Sequence, residues 1–87
     1  MLRRFWFEFD PEGVDDFPPG VRVGCGVTAQ NVELATALVH ERVFGGRDLP
    51  RIRRIVPDID IRLLDEGHVR PNMGNPVVAG IWFPLGY

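Results

Sequence analysis

Lysine and serine are absent from this chain, and cysteine occurs once, at position 25. Without serine there is no serine nucleophile, and without lysine no Schiff base, so the common triad and imine chemistries are excluded. A single Cys25 rules out an intrachain disulfide, and no Cys/His grouping has zinc-site spacing. No apolar run approaches the roughly 18 residues of a membrane span, and no signal-peptide core is present. The expectation is a cytoplasmic protein with no membrane association. Every permanent side-chain cation is therefore arginine, ten against twelve carboxylates, and the formal charge of −2 disfavours nucleic acid as a partner. The nucleophiles that remain are Cys25, Thr28, Thr36, Tyr87, His40, His68 and the carboxylates.

What is present is patterning for one helix and four strands. Thr28–Gly46 is the only stretch that reads as a long helix. Winding it at about 100° per residue gathers Val32, Leu34, Ala35, Leu38, Val39 and Val43 on one apolar arc. Thr28 or Asn31 can cap its start, and Gly45 and Gly46 can supply the left-handed residue that ends it. Leu2–Phe9 alternates, with Phe5, Phe7 and Phe9 on one face and Arg4, Trp6 and Glu8 on the other. Val21–Val27 alternates too, with Val21, Val23, Cys25 and Val27 inward, and should pair antiparallel with the first strand. Arg54–Ile61 is the third strand, turning Ile55, Ile59 and Ile61 inward. Pro57 lacks an N–H donor, which places this strand at an edge. A helical turn at Leu63–His68 and a strand at Val77–Phe83 complete the chain. The expected fold is a single α+β domain, 1–87. Its four-stranded, mainly antiparallel sheet (β-β-α-β-β) carries one long helix packed on one face.

Five constellations could carry function. The loop Asp10–Pro19 is dense in turn residues and bears Glu12, Asp15 and Asp16 without a cation, so it reads as a solvated turn or an acidic docking surface. The outward sheet face collects Trp6, Trp82 and Val78 between Gly24, Gly26 and Gly80, bordered by Arg4, Arg22 and Glu8. Either the rings cover the glycines inside the molecule, or the face is an aromatic interface. Asp58, Asp60, Asp65, Glu66 and His68 hold the densest set of hard-metal donors. The spacing is not a calcium loop, because Arg62 stands where an oxygen ligand belongs and Leu63 where the glycine belongs. An exposed acidic strand end is the simpler reading, and Asp58, Asp60 and His68 are the weak metal candidates. Cys25 points inward by alternation, as a small apolar residue, with a reactive thiol at the helix N-terminus as the alternative. Arg51, Arg53 and Arg54 form a basic knot, either a solvated strand end or a clamp for phosphate or carboxylate. Arg42 is expected to reach Asp58 or Asp60.

The runs Gly24-Cys25-Gly26-Val27-Thr28-Ala29, Asp65-Glu66-Gly67-His68-Val69 and Pro71-Asn72-Met73-Gly74 resemble small bacterial proteins of about this length, to which no established activity attaches. In size, acidity and sheet-plus-helix build, the chain is also similar to immunity proteins of bacterial toxin systems. That resemblance implies a cytoplasmic, cofactor-free inhibitor that covers a toxin's active site, its acidic loop facing a basic toxin domain. The leading expectation is a non-enzymatic protein-binding module using Glu12, Asp15, Asp16, Trp6, Trp82, Arg4 and Arg22. The rivals are a small metal-dependent or thiol-dependent enzyme built on Asp58, Asp60, His68 and Cys25, and a homodimer joined through the Trp face.

Overall fold

The computed structural model describes residues 2–10, 17, 21, 23–64, 67, 69, 71 and 73–84. Strand β1 (Arg3–Phe9) is followed by β2 (Cys25–Ala29), helix α1 (Val32–Leu38), β3 (Ile52–Pro57) and β4 (Gly80–Phe83). The sheet order is β3-β1-β2-β4, and every neighbouring pair is antiparallel. Strands β2 and β3 therefore run the same way on either side of β1, joined through α1. The fold is α+β with the helix on one sheet face, as the patterning implies.

Local chemistry sets the boundaries. Asn31 has extended backbone (φ −153°, ψ 171°), and its side chain accepts from the Leu34 N–H at 2.9 Å, a cap worth about 1 kcal/mol. Thr28, the alternative cap, is instead a fully buried β2 residue whose hydroxyl donates to the Pro76 carbonyl. The helix continues past Leu38 as a wider π turn, Val39–Val43, and stops at Gly45 and Gly46, with φ of 61° and 82°. Strand β2 begins later than its alternation suggests. Gly24 has φ of 144°, which interrupts the extended run, and Val23 before it is exposed. Strand β3 sits at the edge, where Pro57 loses no ladder bond, and ends at Asp58 in a left-handed conformation (φ 54°). Ile59 consequently leaves the helix face and is buried on the opposite one.

The sheet is covered on both faces. Phe5, Phe7, Phe9, Cys25, Val27 and Ala29 pack against Ala35, Val39 and Phe44 beneath the helix. On the other face Trp6, Trp82 and Phe83 are enclosed with Ile59, Leu64, Val69 and Met73, all from the segment between β3 and β4. The turn of helix in that segment is a 3-10 turn at Ile61–Leu63. Strand β4 is short, and Val77 and Val78, which alternation would place in it, are exposed ahead of Gly80. Among the described residues no helix is long and apolar enough to cross a membrane.

Candidate functional site

The aromatic face is interior. Trp6 is 4 % and Trp82 1 % exposed, their ring centroids are 5.9 Å apart, and Phe83 lies 5.5 Å from Trp6. The indoles lie over the strand glycines, Trp6 on Gly24 and Trp82 on Gly26. Neither ring is available as a surface anchor, which corrects the interface reading for both. The same burial removes the Trp-face homodimer. The Trp6 indole N–H helps stabilise the Glu8 carboxylate, whereas the Trp82 Nε1–H is buried with no partner among the described residues. Arg4 is also not a free rim cation. It is half-buried, and its Nε donates to the Ile59 carbonyl at 3.1 Å, tying β1 to the turn after β3. Glu12, Asp15, Asp16 and Arg22 lie outside the described residues.

The acidic strand end is made of closed ion pairs. Arg3 donates from Nε and Nη2 to both Asp58 oxygens, at 3.1 and 2.7 Å. Arg62 does the same to Asp60, whose carboxylate also accepts the Arg62 backbone N–H. The Arg62 side-chain bonds, and then that backbone bond, bring the Asp60 carboxyl down to about 2. Arg42 pairs with neither, contrary to expectation; the partners are Arg3 for Asp58 and Arg62 for Asp60. No group of three metal-binding side chains occurs among the described residues, and His68 lies outside them. Cys25 is fully buried, and desolvation pushes its thiol from 9.0 up to about 12, so the folded protein presents no thiolate near neutral pH.

A concave feature of the described surface lies elsewhere. A depression of about 520 Å³ runs between Leu34, Ala37, Leu38 and Glu41 on α1 and its π turn, and Leu2 and Ala79 at one end of the sheet. Its described lining is mostly apolar, with Glu41 the one charged side chain. Leu2 and Leu34 are nearly half exposed there, and Val77 and Val78, just before Ala79, are exposed at 66 % and 59 %. Large apolar side chains left in water around one concavity are the usual mark of a binding surface.

Sequence reading assigned Leu34 to the core and passed over Ala37. The signal was nevertheless there. The arc from Leu34 to Val43 spans about 180° of the helix, more than the ~100° stripe one sheet contact needs. Ala35 and Val39 take the buried centre, and Leu34 is left over at the rim.

No protein-family model matches this chain, and neither a curated protein nor a solved structure does.

Proposed function

We propose that this chain is a protein-binding module whose partner seats an apolar segment in the groove between α1 and the Leu2–Ala79 end of the sheet. The supporting observation is the pair of exposed leucines, Leu2 and Leu34, that line the groove, with exposed Val77 and Val78 immediately before its Ala79 in the chain. The contrast with the sheet edges adds to it. Edge strand β3 carries Pro57, a β-bulge and two arginines, all devices that block edge pairing. Along β4, the Gly74 N–H donates to the Trp82 carbonyl at 2.7 Å, so the segment before β4 lies beside that strand. The edges are guarded; the groove is not.

Selection of random displayed peptides on the immobilised protein tests this. Apolar peptides should be enriched, and Leu34→Asp or Ala37→Arg should weaken them by more than about tenfold. Both positions are exposed on a helix, so the variants should still fold. No enrichment over the Leu34→Asp protein would count against the reading. So would a dimer mass in light scattering that Ala37→Arg abolishes, since the groove would then belong to a second copy.

The finer reading is an immunity protein, a toxin inhibitor acting in the bacterial cytoplasm on a domain with a basic surface. It rests on the acidic run with Glu12, Asp15 and Asp16 and on Glu41 at the groove. The large secreted protein encoded next to this chain, where one exists, is the partner to try. Charge reversal at Asp15 and Asp16 should slow association by about tenfold at low salt and much less at high salt. Equal rates before and after reversal would remove the electrostatic part and leave the groove reading standing.

A further inference from the structure

Alternation along a strand sends consecutive side chains to opposite faces, so Arg53 and Arg54 should diverge. They do not. In the β1–β3 ladder Arg54 stands opposite Glu8 and Ile52 opposite Phe9, which leaves Arg53 as the extra residue of a β-bulge. The bulge brings both guanidiniums onto one carboxylate. Arg54 Nη2 lies 2.9 Å from one Glu8 oxygen, and Arg53 Nη2 lies 3.5 Å from the other. The Glu8 side chain is only 20 % exposed, while the two arginine side chains remain 64 % and 62 % exposed. Arg51, two positions earlier, is exposed as well, and its carbonyl accepts the Asp10 N–H, so it continues the same ladder.

One carboxylate thus aligns two guanidiniums and neutralises a single charge. A guanidinium carries five N–H donors, so most of those on Arg53 and Arg54 still face solvent. Bulge, proline and charge all guard an edge, but guarding it does not require two guanidiniums to converge on one largely buried carboxylate.

We propose that this bulge is an oxyanion site, in which Arg53 and Arg54 take a phosphate or carboxylate group in a forked geometry and Arg51 adds charge. The anchor on Glu8 restricts the two side chains before the ligand arrives, which lowers the ordering cost of binding. This site shares no residue with the groove and stands or falls independently of it.

The test is arginine side-chain NMR on the full chain, titrated with inorganic phosphate or succinate against chloride at matched ionic strength. The Nε–H signals of Arg53 and Arg54 should move together and saturate with a dissociation constant of about 1 mM for at least one oxyanion, and not for chloride. Arg54→Gln should weaken that binding about tenfold without changing the unfolding midpoint, and Arg42→Gln should leave it unchanged. Tighter binding of phosphate identifies a phosphate-bearing ligand, and tighter binding of succinate an acidic one. Shifts that never saturate, or that are as large at Arg42 as at the pair, would overturn the proposal.

Discussion

Replacing Gly26 by alanine should cost the fold about 3 kcal/mol, read as a shift in the urea midpoint, for the addition of one methyl group. The reason is the Trp82 ring. A Cβ on Gly26 would fall onto Cη2, Cζ3 and Cε3 of that indole, far inside van der Waals contact. The ring cannot tilt aside, because Trp6, Leu64, Val69 and Met73 share its enclosure and Trp82 is 1 % exposed. Gly26 itself does not have a left-handed backbone, so the cost is steric and not conformational. Gly45→Ala is the control: there φ is 61° but nothing among the described residues lies within 4 Å of the added Cβ, and the expected loss is about 1 kcal/mol. For a domain whose whole stability is roughly 5–10 kcal/mol, the first change is severe and the second tolerable. In a Trp82→Leu background the Gly26→Ala cost should fall below about 1 kcal/mol, since the clash would be gone. If Gly26→Ala proved no worse than Gly45→Ala in the natural background, the indole would not be seated where the fold requires it.

That glycine also shows how far the sequence could be read. Small residues in a strand beside two tryptophans imply that rings lie over backbone, and they do. Whether water or protein lies on the far side of the rings was not decidable locally. The cover comes from the segment after β3, and its direction is set by the left-handed Asp58 and by the bond from Arg4 Nε to the Ile59 carbonyl. Signals that act within one turn of chain were legible: the Asn31 cap, the Gly45–Gly46 stop and the Pro57 edge. Those that need the opposite strand were not. The Arg53 bulge exists only because Glu8 and Phe9 stand across from it, and Arg3 finds Asp58 from the far end of the chain. Leu34 failed for a third reason: the helix offers more apolar arc than the sheet can bury, and sequence cannot say which end is left over. The groove is that leftover.

Above about pH 9 the protein should lose stability at close to one proton's slope, about 1.4 kcal/mol per pH unit, until about pH 12. The source is Cys25. Its thiol loses a proton at 9.0 ordinarily and at about 12 in the fold, because it is fully buried beneath the helix with Phe7, its cross-strand neighbour, and Val27. Below pH 9 both states keep the proton and stability is complete. Between the two values the unfolded chain is deprotonated and the folded one is not, so rising pH favours unfolding, by about 4 kcal/mol in all. Cys25→Ala should cost about 1 kcal/mol at neutral pH, through the small cavity it leaves, and should lack this slope. The two stability curves must then cross, at about pH 10. Any other group that titrates in this range contributes equally to both proteins and drops out of the difference. Urea midpoints from pH 7 to 12 measure the crossing. Parallel curves would mean that the folded protein admits a thiolate at this position. The thiol-dependent chemistry that burial now argues against would then have a nucleophile after all.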